Sequence, residues 1–233
     1  MWRIDHERRA TFVRPAATLP FIARRWSFRA APRLAASLIA PPRCGVCGAR
    51  CRSSAALCER CEAELAGARD GRVSVPCLDA AWAATRYEGI PRELVGALKF
   101  RGRLSLARRA AEAIAAEVPP DLVDGAIVPV PPAPWRLRLR GHDPAEEIAF
   151  ALATLTRLPF HPALARSAGP RQVGRRRADR LADPPAVHAV DCAPLRAVLV
   201  DDVVTTGATL AACARALSSA GAERVVAVAF ARA

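Results

Sequence analysis

Val198-Leu-Val-Asp201-Asp202-Val203-Val204-Thr205-Thr206-Gly207-Ala208-Thr209 is the stretch whose reading decides the fold. An apolar run with the character of a buried strand passes through two adjacent acids into a loop of small, hydroxylated residues. A helix is predicted from about Ala208, with Leu210, Cys213, Ala214 and Leu217 on one face and Gly221 closing it. Val225 to Phe230 reads as the next strand. A strand, a tight loop and a helix N-terminus form an anion site, because free backbone N–H groups and the helix dipole converge there. Gly207 lets the backbone approach a phosphate, and Thr205, Thr206 and Thr209 offer hydroxyl donors. The two acids cannot serve that anion. At a strand end they suit vicinal sugar hydroxyls or a divalent cation. A ligand with a phosphate at one end and a diol at the other fits the whole set. An ordinary β–α turn with acids near a helix N-terminus accounts for one acid and one threonine, not for the complete block.

That block resembles the 5-phosphoribosyl-1-pyrophosphate (PRPP) signature of type I phosphoribosyltransferases. The resemblance implies that Asp201 and Asp202 hold the ribose hydroxyls. It also implies that Val203, Val204, Thr205, Thr206, Gly207, Ala208 and Thr209 wrap the 5′-phosphate.

A second feature lies upstream, where Cys44-Gly-Val-Cys47 is followed after ten residues by Cys58-Glu-Arg-Cys61. Two C-x-x-C knuckles at this separation can place four thiolates tetrahedrally around one zinc ion, and Gly45 and Gly48 suit their tight turns. A pair of disulfides or buried thiols is the competing reading. Residues 1–43 are rich in Arg and lack the apolar core of a signal peptide. A reducing cytoplasm is therefore expected, which favours zinc. Cys51 is a further candidate ligand, as is Cys77 beyond the knuckles, whereas Cys192 and Cys213 are expected as small buried hydrophobes.

The chain of 233 residues has room for a small metal module and one domain of ordinary size. Its composition is 52% hydrophobic, enough for a proper core, yet no apolar run approaches membrane-spanning length. The net charge of +13 is concentrated: residues 1–43 hold nine Arg against Asp5 and Glu7, and residues 166–180 hold six Arg against Asp179. Such clusters suit phosphates, nucleic acid or an acidic surface. Lys99 is the single lysine among 35 cations, so the arginines look like a coding bias, and Lys99 is either a chance survivor of that bias or a position that needs a compact ammonium.

Along the chain, residues 1–37 form a basic extension, with 1–33 expected to be poorly ordered and Arg33 to Ala40 a short helix. The zinc module occupies 38–70, a Gly/Asp linker lies near 67–72, and the larger domain covers 71–233. Ala80 to Tyr87 and Gly125 to Val130 read as strands, and Pro91 to Phe100 and Leu104 to Val118 as helices. Pro129 to Pro134 is expected as an extended loop or turn. Asp143-Pro144-Ala-Glu146 reads as a helix start, with Asp as N-cap and Pro at the first position. Strands alternating with helices imply an α/β fold with a mostly parallel sheet.

With both features in this order, the chain is similar to the ComF family, a zinc finger followed by a phosphoribosyltransferase-like domain. Pro41-Pro-Arg-Cys44, Tyr87-Glu-Gly, Leu98-Lys99-Phe100-Arg101-Gly102, Val128-Pro-Val-Pro131 and Arg140-Gly141 carry the likeness, which spans about residues 38–233. The family usually continues with Phe-Asn-Gln, where this chain has His142-Asp143-Pro144. Its Arg-x-x-Asn region is only partly echoed between Arg171 and Arg180. These departures fall where a transferase positions its acceptor or closes a loop.

The resemblance implies displacement at ribose C1 with loss of pyrophosphate, and Mg²⁺ held through acids such as Asp201 and Asp202. Lys99, Arg101, Arg136, Arg138 and Arg140 are candidate partners for the departing charge. His142 is a tempting acid–base residue, although a lone loop His is more often a bystander. The alternative is a non-catalytic, DNA-handling competence factor that contacts single-stranded DNA or a protein through the zinc module and basic segments. Against it, aromatics are 5% of the chain and do not interleave with the Arg clusters. The acceptor and the oligomeric state are not legible in the sequence.

Overall fold

The computed structural model describes residues 42–51, 55–167 and 186–233. The expected N-terminal helix, the expected disorder of residues 1–33 and the Arg171 to Arg180 segment fall outside these residues.

Four parallel strands form the main sheet: β1 (Ala80–Arg86), β2 (Ala126–Pro129), β5 (Arg196–Val204) and β6 (Arg224–Arg232), in the order β1-β6-β5-β2. Alternate residues of β5 feed two cores, as the two-residue period of a strand requires. Val198 and Val200 pack with α2 (Gly89–Arg101), α3 (Ser105–Glu117) and α5 (Pro144–Thr156). Ala197 and Leu199 pack with α6 (Ala208–Ser219) on the opposite face. Both faces are covered, which is why β5 and β6 read as near-continuous apolar runs. A two-stranded antiparallel ribbon, β3 (Leu164–Arg166) with β4 (Val187–Ala189), lies beside α6.

The expected helices are present with boundaries shifted by a residue or two. Asp143 caps α5 by accepting from the Glu146 N–H at 3.3 Å, with Pro144 at the first helical position. One expectation is corrected. The run from Pro129 to Pro134, expected as an extended loop or turn throughout, ends in helix α4 (Pro134–Arg140), because Pro134 takes the first helical position, and Gly141 closes the helix in the left-handed region at φ 72°.

The cysteine-rich segment, ending in α1 (Glu59–Gly67), shares the α2/α3 core: Cys44, Val46, Leu57, Cys61 and Leu65 belong to the same apolar cluster as Leu94, Leu98 and Leu106. A Cβ on Gly45 would stand 2.8 Å from the Leu106 side chain, so the first knuckle sits directly on α3. Arg109 of α3 grips Glu62 of α1 through Nε at 2.8 and 3.0 Å and through a guanidinium ion pair at 2.7 Å. The Gly/Asp stretch beyond α1 runs antiparallel along β1, bonded from Asp70 to Ala84, from Ala83 to Gly71 and from Val73 to Ala81.

Candidate functional site

β5 delivers Asp201 and Asp202 to the carboxyl end of the parallel sheet, the end at which open α/β sheets bind ligands. The chain turns at Thr205, Thr206 and Gly207 and enters α6 at Ala208. Gly207 takes φ 73°, and a Cβ there would meet Val75 at 2.8 Å, so both conformation and packing demand glycine. Thr205 and Thr206 are exposed, and the Thr206 hydroxyl accepts from the Ala208 N–H at 3.4 Å. Asp201, with the run from Val203 to Leu210, lines a small cavity around the helix N-terminus. Val203 and Val204 belong to the strand ladder, opposite Ala231 and Arg232.

The two acids are divided between the faces of the sheet. Asp201 lies opposite Ala229 on the α6 side, and its Oδ1 accepts from the Asp202 N–H at 2.8 Å. Burial, followed by the neighbouring charge of Asp202, pushes its carboxyl up to about 8. Cys213 of α6 is pushed up to about 12, first by burial and then by Asp201. Asp202 meets Lys99 of α2 on the other face, with Nζ 2.8 Å from Oδ2 and both side chains largely sheltered. Asp143, 8% exposed, belongs to the same group: burial and the charge of Asp202 raise its carboxyl to about 7. Lys99 thus offers one ammonium among three carboxyl groups.

The other expected cations point elsewhere. An Arg101 guanidinium N–H donates to the Glu93 carbonyl at 3.3 Å. Arg136 stacks over Trp135 at 5.3 Å, and Arg140 over Phe100 at 5.0 Å. Trp135 and Phe100 are themselves exposed, and both pairs lie outside the Arg clusters of residues 1–43 and 166–180. Two residues of this region escaped sequence reasoning as site residues. Asp143 carries a clear capping signal, but its approach to Asp202 is a long-range contact. Arg166, at the end of β3, is partly buried, and burial together with Arg136 lowers its guanidinium below the usual value.

The candidate metal centre has a simpler geometry. The Sγ atoms of Cys44, Cys47, Cys58 and Cys61 all lie within 4.8 Å of one another, and Cys47 and Cys58 approach to 3.6 Å. A tetrahedral site with Zn–S bonds of about 2.3 Å needs sulfur separations of roughly 3.8 Å, so the four thiols fit zinc. Burial opposes a thiolate at Cys44, but the N–H groups of Cys47, Cys58 and Val46 outweigh it and bring the thiol down to about 6. Cys51 stands outside the four, with its thiol directed to the Ala49 carbonyl at 3.7 Å. Cys77 is exposed beside Arg215. Cys213 is buried as expected, whereas Cys192 is exposed, because it sits in the turn between β4 and β5 with no apolar layer over it.

These features define a parallel α/β protein with an N-terminal four-cysteine cluster and an acid–threonine loop at the carboxyl end of its sheet. No family model matches the chain, and no curated protein matches it. Among solved structures, it is similar to glutamine PRPP amidotransferase from B. subtilis, complexed with ADP and GMP. The TM-score is 0.36 at 22% identity, over 53% of this chain and 26% of that one. A likeness this slight does not define a family. Among the described residues, no helix is long and apolar enough to cross a membrane.

Proposed function

We propose that the loop from Asp201 to Thr209 binds PRPP or a closely related phosphoribosyl ligand, and that the protein is a phosphoribosyltransferase-like protein of the ComF type. The observation that carries this reading is the arrangement at the end of β5, where Asp201 and the threonine loop line one cavity at the start of α6. The N–H groups of the loop and the hydroxyls of Thr205, Thr206 and Thr209 suit a 5′-phosphate, and Asp201 suits the ribose diol. Lys99 pairs with Asp202 at 2.8 Å and holds its side chain in place. Mg²⁺ bound with the pyrophosphate would supply charge neutralisation there, with Asp201 and Asp202 as the chain's own oxygen donors. The four-cysteine cluster holds zinc in a structural role, closed by four protein ligands.

Calorimetric titration with PRPP and Mg²⁺ tests this reading. Saturable binding is expected, and it should disappear in the Asp201→Asn/Asp202→Asn variant while the fold persists. Absence of binding by the wild type at millimolar PRPP would sink the proposal. Pyrophosphate release with candidate bases would then separate a transferase from a PRPP sensor.

A second reading, contact with single-stranded DNA, draws on one feature: Trp135 and Phe100 are exposed, and each is stacked by an arginine on or ending α4. Loss of oligonucleotide binding in a Trp135→Ala/Phe100→Ala variant, with PRPP binding kept, is the outcome it requires.

A further inference from the structure

The turn between α4 and α5 sets one imidazole against two helix ends. His142 Nε2 lies 2.7 Å from the Leu98 carbonyl oxygen, and Nδ1 lies 2.9 Å from that of Arg140. Leu98 belongs to the last turn of α2, and Arg140 is the last residue of α4. Carbonyls in such positions lack a helical N–H partner. The capping N–H groups are directed elsewhere, Gly102 to Ala97 and Gly141 to Leu137. Both neighbours of the ring can only accept. A neutral imidazole donates from one nitrogen and would turn a lone pair onto the other carbonyl; only the imidazolium donates to both. Two helix C-termini, each the negative end of a dipole, also favour a cation between them.

The charged groups around the ring agree with this assignment. On α5, burial and Glu146 push the Glu147 carboxyl up while the charge of His142 pulls it back. On α4, the Arg140 guanidinium is turned away onto Phe100. On α2, Lys99 is turned to Asp202. The peptide after Leu98 carries Lys99, and the residue after His142 is Asp143. His142 therefore ties the end of α2, which carries Lys99, to the turn between α4 and α5, which carries Asp143, and both side chains lie by Asp202.

We propose that His142, as the imidazolium, is a positioning residue: it caps α2 and α4 together and so fixes Lys99 and Asp143 against Asp202. Its consequence for ligand binding rests on the phosphoribosyl reading above; the clip itself does not. The chain's single lysine makes the test direct, because ¹⁵N-lysine labelling gives one side-chain ammonium signal. In the wild type, that signal should be sharp and slow to exchange, and ¹⁵N-histidine spectra at neutral pH should show both His142 ring nitrogens carrying hydrogen. His142→Phe keeps a ring but no donors and should broaden or lose the ammonium signal. His142→Gln presents two amide hydrogens and should retain it.

A His142 ring with one bare nitrogen overturns the proposal, as does an unchanged ammonium signal in folded His142→Phe. If that variant does not fold, the wild-type ring spectrum and His142→Gln still decide, since loss of the signal in His142→Gln also overturns it. PRPP affinity should fall about tenfold in His142→Phe and remain near wild type in His142→Gln. Should the wild type not bind PRPP while the spectra are as expected, the phosphoribosyl reading falls and the clip stands.

Discussion

The two chemical regions of this protein are built on opposite plans. The four cysteines close on one another, with Cys44 and Cys61 buried in the core shared with α2 and α3. The acid–threonine loop is open: Thr205 and Thr206 face solvent, and its charges are crowded rather than matched, with one ammonium among three carboxyl groups. The difference teaches that the first region is built into the core, whereas the second leaves hydroxyls and charges open, which on the proposed reading is where a ligand binds.

Metal removal should break the comparison most strongly. Chelation is expected to destabilise the whole protein, not only its N-terminal segment, by more than about 5 kcal/mol, read as a collapse of the thermal transition together with loss of roughly one zinc per chain. Lys99→Met leaves Asp202 sheltered without its partner and should cost about 3 kcal/mol in denaturant melts.

Asp143→Asn should act in the opposite direction. Its carboxyl is raised from 3.8 to about 7 in the fold, so between these values the folded state holds a proton that the unfolded chain has lost. Stability therefore falls as pH rises from 4 to 7, and by pH 8 the full penalty is present. Asn caps a helix equally well and carries no charge, so the variant should gain about 2 kcal/mol at pH 8 and little at pH 4. A pH series of melting temperatures checks both sign and window. The smallest effect belongs to Arg109→Ala. The grip on Glu62 is bidentate but partly exposed, and its loss should cost about 1 kcal/mol without changing zinc content.

The parts of the molecule that were legible in the sequence are those where local pattern and global fold agree. The strand–loop–helix from Val198 and the Asp143 cap both announce themselves within a dozen residues. The four cysteines that cluster are those of the two C-x-x-C knuckles, while setting Cys51 aside needed three dimensions, because its thiol points to the Ala49 carbonyl. What could not be read depends on contacts between distant segments. Asp143 meets Asp202 across 59 positions, and His142 caps a helix that ended 41 residues earlier. The sequence shows a polar residue in each place, but not which helix end or carboxylate lies opposite. Helix α4 was missed for a local reason: prolines at 129, 131, 132 and 134 read as one extended run, when the last of them starts a helix.

The stretch from residue 68 to 73 has a practical consequence. By running along β1 it covers what would otherwise be the bare margin of the sheet, and Arg232 is clamped to Asp70 there at 2.7 Å. A fragment trimmed to begin after it would show a row of unpaired backbone groups beside uncovered apolar side chains of α2 and α3. Such margins recruit other chains. Truncation is therefore expected to yield aggregates rather than a smaller working domain, and point variants are the sound way to dissect this protein.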